Sequence, residues 1–124
     1  MRIDHIQLAM PRGGESAARR FFGTVLGMDE IPKPEALRSN GGCWFRTEAC
    51  ELHLGVDADF RPQRKAHPGF IVSDLQALAK RLADAGFEVA RDDRIANVPR
   101  FFTHDPFGNR LEFRGPPAHS EGPA

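Results

Sequence analysis

Residues 110–114 read Arg110-Leu111-Glu112-Phe113-Arg114, and residues 51–54 read Glu51-Leu52-His53-Leu54. Both alternate polar and apolar side chains, which is the period of a half-buried strand. Each sets a side chain able to ligate a metal between two apolar neighbours, and Glu112 follows His53 by 59 positions. Working outward, a second pair appears. His5 lies in the alternating stretch 2–10, His67 opens the stretch 66–72, and the two are 62 positions apart. Two nearly equal offsets are the mark of a duplicated unit. A shorter linker or hairpin turn absorbs the small difference.

The segments between these strands repeat as well. Residues 16–26 carry Ala17, Phe21, Val25 and Leu26 near helical spacing, with Gly27 placed to end the helix. Residues 74–85 carry Leu75, Leu78, Ala79 and Leu82 on one face, with Ser73 or Asp74 as the cap and Gly86 after the end. Three strands are expected after each helix, at 29–32, 42–47 and 50–56, then at 87–91, 100–104 and 110–114. The last two of each set form a hairpin, turning at Glu48-Ala49 and at Asp105-Pro106-Phe107-Gly108-Asn109. The expected fold class is α+β: two βαβββ units forming a curved mixed β-sheet cleft, with helices packed on the outer face. Unit 1 covers about 2–56, a polar linker 57–65, and unit 2 about 66–114, in a single domain over 1–115. A Pro/Gly-rich tail, 116–124, is expected to fray.

A chain of 124 residues, 40% of them hydrophobic, can bury one core. Lys+Arg and Asp+Glu both number 17. That neutral balance leaves no electrostatic footprint for nucleic acid or an anionic membrane. Small molecules and protein partners remain. The first residues lack a signal-type apolar run and no stretch is long enough for a membrane span, so a cytoplasmic protein is expected. Cys43 and Cys50 make no disulfide framework and read as packed thiols.

Alternation also assigns faces. Ile6, Leu8 and Met10 oppose His5 and Gln7; Leu52 and Leu54 oppose Glu51 and His53; Phe70 and Val72 oppose His67; Leu111 and Phe113 oppose Glu112. The apolar sets pack under the helices, so the polar sets share the face away from them. Across a pseudo-twofold axis His5 is expected to meet His67, and His53 to meet Glu112. A lone strand histidine is most often a surface residue. Four such groups on equivalent positions of a repeat point instead to a divalent metal such as Zn, Ni, Co, Mn or Fe. If Phe45 is core, Trp44 and Arg46 face the cleft, where Arg46 and Arg100 would contact an anionic substrate group. Phe101 and Phe102 are expected to be mostly core. His104, before a turn, and His119, in the tail, fall outside the pattern.

These residues resemble the vicinal oxygen chelate superfamily, the group of glyoxalase I, fosfomycin and bleomycin resistance proteins and extradiol dioxygenases. The resemblance spans about residues 2–114. It rests on Ile3-Asp4-His5-Ile6, on Ala66-His67-Pro68-Gly69-Phe70, and most specifically on Asp105-Pro106-Phe107-Gly108-Asn109-Arg110-Leu111-Glu112-Phe113, which is similar to the family's DPxGxxxEF signature. It implies that His5, His67 and Glu112 occupy metal-ligating positions. His53 stands where glyoxalase I has Glu and some epimerases have Gln, so it is either a fourth ligand or an acid or base.

The resemblance implies an enzyme of glyoxalase-I-like lyase or isomerase type. A small oxygenated substrate would be chelated to an open-sided divalent metal, with His53 or Glu112 as the catalytic base. Two alternatives accompany it. One is an Fe(II) extradiol-type dioxygenase, for which the chain supplies no tyrosine (Tyr 0). The other is a metal-free, bleomycin-resistance-like binder of flat small molecules. Exposed strand edges, together with the family pattern, imply a homodimer.

Overall fold

The alternating segments resolve into eight strands: β1 Ile6–Met10, β2 Asp29–Ile31, β3 Cys43–Arg46, β4 Glu51–Val56, β5 Gly69–Ile71, β6 Ala90–Asp92, β7 Arg100–His104 and β8 Arg110–Arg114. Helix α1 (Glu15–Ala18) and α2 (Leu75–Asp84) follow the first strand of each unit. This computed structural model describes residues 1–117. The chain forms two four-stranded sheets, ordered β1-β4-β3-β2 and β5-β8-β7-β6. Within each, the first and last strands of the unit run parallel and the remaining pairs are antiparallel. A parallel pair needs a crossover, and the helix after the first strand supplies it. The α+β architecture of two βαβββ units is the one expected from the repeat.

The core lies between the sheets and the helices. Leu8, Met10, Phe45, Leu52 and Leu54 pack under Ala18, Phe21, Phe22 and Val25; Phe101, Leu111 and Phe113 join Leu75, Leu78, Ala79 and Leu82. Each fully buried phenylalanine contributes about 2–3 kcal/mol. The two helical layers touch. Phe21 meets Phe87 edge-on at 4.7 Å, and Arg81 Nε donates to the Val25 carbonyl at 3.1 Å. Asp74 caps α2 by accepting from Ala77 N at 3.0 Å.

The first helix departs from expectation. After α1 the chain widens into π-helical turns over Arg19–Val25, with Leu26 N bonded to Phe21 O and Met28 N to Phe22 O, each at 2.9 Å. The buried stripe is Ala18, Phe21, Phe22 and Val25, and Ala17 faces solvent. Burying both phenylalanines sets that rotation. A short 3-10 helix, Glu35–Asn40, was not foreshadowed by any apolar pattern. The strands are also shorter than their patterns. Pro68 has no N–H to give a ladder, and β5 starts after it. His5 and His67 therefore sit just before β1 and β5. Residues 118–124, most of the expected tail including His119, lie outside the described residues.

Gly42 opens β3 with φ 84, and a Cβ built there would stand 2.1 Å from the Leu54 carbonyl oxygen. Its N–H donates to Glu15 Oε2 at 2.7 Å, tying the sheet to α1. Gly42→Ala combines a disfavoured backbone with a clash against a strand carbonyl. It is expected to cost roughly 3 kcal/mol in a denaturant titration.

Candidate functional site

Each sheet leaves one face free of helices. In unit 1, Trp44 of β3 lies directly opposite His53 of β4. Their rings stack at 3.5 Å with a 2° interplanar angle. His5, arriving just before β1, covers the other side of His53 at 4.2 Å and 18°. His53 is thus sandwiched and buried, 3% exposed. Its Nε2 lies 2.8 Å from Glu51 Oε1. A carboxylate only accepts, so Nε2 carries a proton and Nδ1 is the ring nitrogen left for other work. His5 Nδ1 faces Asp4 Oδ2 at 2.8 Å, which by the same reasoning leaves its Nε2 lone pair free.

In unit 2, antiparallel pairing of β7 and β8 sets Arg100 opposite Arg114, Phe102 opposite Glu112 and His104 opposite Arg110. Glu112 is buried. Its Oε2 accepts from Arg114 Nε at 2.6 Å and from Arg100 Nη1 at 3.1 Å, and its Oε1 lies 3.0 Å from His67 Nε2. Burial pushes this carboxyl up, but the hydrogen bonds from Arg114, His67 and Arg100 outweigh burial and hold it at about 2. His67 Nδ1 lies 2.9 Å from the Lys65 carbonyl oxygen. A carbonyl only accepts, so Nδ1 is the protonated nitrogen. In the neutral ring the Nε2 lone pair then faces a carboxylate oxygen. Two acceptors that close require a proton or a cation between them.

The side chains read as ligands are therefore brought together in two pairs, His5 with His53 and His67 with Glu112. Both pairs form within a unit, because β1 neighbours β4 and β5 neighbours β8. The expected meetings of His5 with His67 and of His53 with Glu112 are replaced by these. Among the described residues no three His, Cys, Asp or Glu side chains gather closely enough to hold a metal ion. The donor set fits a divalent metal in part. His67 Nε2 and Glu112 Oε1 are two oriented donors, and the anchored Nδ1 of His67 is the usual support for a metal-binding imidazole.

Trp44 and Arg46 lie on the open face of unit 1, with Phe45 in the core, and Arg100 on that of unit 2. Phe101 joins the main core, whereas Phe102, also buried, lies on the other face beneath Arg110, whose Cζ lies 4.0 Å from the ring centroid. Sequence reasoning passed over Arg110 and Arg114, although alternation along β8 gives them the face of Glu112. A cavity of about 640 Å³ adjoins the unit 1 residues through His5 and Glu51. It opens between β1 and the β5–α2 side, where Met28, Phe70 and Phe113 line it with His5 and Glu51, and neither His53 nor Glu112 does.

Residues 2–113 match the family model described as Glyoxalase/Bleomycin resistance protein/Dioxygenase superfamily. A putative glyoxalase family protein from Bacillus anthracis is 46% identical, with 93% of this chain and 94% of that one covered and a TM-score of 0.89. A glyoxalase/dioxygenase from Nostoc punctiforme shares the fold at 21% identity, TM-score 0.77, covering 94% and 91%. The fosfomycin resistance protein FosX from Listeria monocytogenes does so at 12% identity, TM-score 0.75, covering 96% of each chain. One FosX variant structure holds Mn(II) and a dihydroxypropylphosphonic acid. Among curated proteins, a gamma-glutamyl phosphate reductase from Rhodopirellula baltica is 29% identical over 91% of this chain, which spans 28% of that protein's length. The repeat, the sheet order and the match over nearly all of its length together place the chain in the Glyoxalase/Bleomycin resistance protein/Dioxygenase superfamily.

Proposed function

We propose that the protein is a metal-dependent lyase or isomerase of glyoxalase type, acting on a small oxygenated substrate. His5, His67 and Glu112 would hold the metal, with His53 beside it as acid–base group or further ligand. The observation that carries this reading is the shared state of two equivalent imidazoles. His5 and His67 each commit Nδ1 to an oxygen acceptor, so the neutral rings would present Nε2 for ligation, that of His67 directly against Glu112 Oε1. When bound, a divalent metal supplies Lewis acidity to a chelated carbonyl or enediolate.

The chain's own groups do the rest. Glu51 accepts from His53 Nε2, which leaves Nδ1 as the atom that takes or returns a proton at the substrate carbon. Trp44 and His5 hold that imidazole in one plane. Glu112 is kept ionised by its two guanidiniums and so remains a donor. Trp44, Arg46 and Arg100 present the surfaces on which the substrate lies. The donors stand in different units, and the set is completed when unit 1 of one copy faces unit 2 of a second. A homodimer with two shared sites is the arrangement this implies.

The test is metal analysis of untagged protein purified without added ions, followed by turnover of hemithioacetals. A stoichiometric divalent metal, lost in His5→Ala and Glu112→Ala, is the expected result. Metal-free protein after growth with ordinary metal supply, or a loaded protein without turnover of hemithioacetals or related α-hydroxy carbonyl compounds, defeats the reading. One observation favours the metal-free binder as the second reading: a cavity of about 640 Å³, lined largely by apolar side chains, reaches His5 but neither His53 nor Glu112. Tight binding of a flat organic ligand by metal-free protein would select it.

A further inference from the structure

The cavity of about 640 Å³ between the start of β1 and the β5–α2 side has the size of a small-molecule site. Its floor is apolar, made by Leu26, Met28, Phe70, Leu78 and Phe113, all buried or half-buried. Its rim is acidic. Asp4, Glu51 and Asp74 line it against one guanidinium, Arg81, a formal excess of two negative charges. Two lining residues also hold the sandwiched imidazole. Glu51 Oε1 accepts from His53 Nε2 at 2.8 Å, and His5 stacks on the same ring at 4.2 Å. Among the described residues His53 is the sole side-chain partner of Glu51. Arg46 stands opposite Glu51 across β3 and β4 but makes no ion pair with it. The Glu51 carboxylate, partly exposed, thus spends one oxygen on His53 and has Oε2 left for a donor in the cavity. A second copy fits this place poorly, because a twofold contact centred here sets the same carboxylates against themselves.

We propose that this cavity is a second ligand site, for a small amphipathic cation of the primary alkylamine type, and that its occupancy acts on His53 through Glu51. The alkyl body leaves water for the apolar floor. The ammonium carries three donors and no acceptor, and a carboxylate oxygen without a donor is its complement. Drawn to the ammonium, Glu51 loosens its hold on His53 Nε2–H, and the ring loses the bond that fixes which nitrogen is protonated. This deepens the reading above, on which it rests for His53 being the acid–base group. The binding itself needs neither metal nor turnover.

The experiment titrates hexylamine, hexan-1-ol and hexanoate into the full chain by calorimetry, at neutral pH and constant ionic strength, while nitrogen-15 NMR follows the ring nitrogens of His53. Wild-type protein should bind hexylamine about fivefold more tightly than hexan-1-ol, as one partly exposed ion pair allows, and hexanoate most weakly. Hexylamine should shift the His53 Nε2 signal and hexan-1-ol should not. Glu51→Gln keeps the shape and an accepting oxygen for His53. It should bring the amine and alcohol affinities together and abolish the shift. Ser73→Phe, which sets a ring into the cavity, should weaken all three ligands, and Ala49→Phe on the hairpin wall takes its place if it does not fold. Equal affinity of wild type for amine and alcohol, wild-type binding in the cavity-filling variant, or amine binding that leaves His53 unmoved overturns the proposal. A dimer in sedimentation that binds none of the three gives the cavity to a second copy and overturns it too. Turnover of hemithioacetals without amine binding defeats this site alone. Amine binding with the His53 shift, in metal-loaded protein that turns nothing over, defeats the reading above alone.

Discussion

Asn109→Ala is expected to lower the unfolding free energy by about 3 kcal/mol, although the residue touches none of the candidate ligands. Asn109 is wholly buried. Its Nδ2 donates to the Ala9 carbonyl at 2.8 Å and to Asp105 Oδ2 at 2.9 Å, and its Oδ1 accepts from Gln63 N at 3.1 Å. One side chain thus joins the last hairpin of unit 2, the end of β1 in unit 1 and the linker. Alanine leaves a strand carbonyl, a linker N–H and a buried carboxylate short of partners at once. The measurement is a urea titration in which the midpoint falls and the slope is unchanged. Asn109→Asp tests the chemistry separately. It puts a second carboxyl against Asp105, whose own pKa burial already raises against the hydrogen bonds that oppose it. Its damage should be severe at neutral pH and should ease as the pH falls.

Glu112→Ala has the other large effect, roughly 3 kcal/mol in metal-free protein, because it leaves Arg100 and Arg114 facing each other with no carboxylate between. The sign of the pH dependence follows from the lowered pKa. The ionised form is favoured in the folded state, so its stabilisation is complete above the ordinary value of 4.5. It is lost as the pH falls from 4.5 through about 2. Thermal unfolding in chelator across that window should show a steep fall for wild type and a flatter one for Glu112→Gln. Equal slopes would mean that Arg114, His67 and Arg100 do not hold the carboxylate as described.

Which face each residue takes was legible in the sequence, for a local reason. Every strand packs one side against a helix, and a period of two then assigns the other side unambiguously. Leu52, Leu54, Leu111 and Phe113 point inward for that reason, and His53 and Glu112 outward. Strand adjacency was not legible. Alternation says nothing about β4 lying beside β1, and that neighbour relation puts His5 on His53. The π-helical widening after α1 was hidden as well, because Ala18, Phe21, Phe22 and Val25 also satisfy an ordinary helical stripe. The face taken by Phe102 escaped because adjacent phenylalanines on one strand must face opposite ways, and composition does not say which joins the helix-side core; both are buried. The signature Asp105–Asn109 was read as a turn beside a ligand. Its hydrogen bonds give it a mechanical role as well, since Asp105 Oδ1 accepts from Phe107 N and Asn109 N, both at 2.9 Å.

The plate-like packing of Trp44 on His53 equips the protein with its own optical probe. Trp44 is the sole tryptophan and the chain has no tyrosine, so its near-ultraviolet emission comes from one indole. That indole lies face to face with the imidazole proposed to handle the proton. Indole emission is quenched by charge transfer to a stacked acceptor, so protonation of His53, a metal drawing on it or a substrate parting the rings would each alter brightness and colour. Stopped-flow fluorescence of unlabelled protein can therefore follow events at His53 as they happen, without a chromogenic substrate.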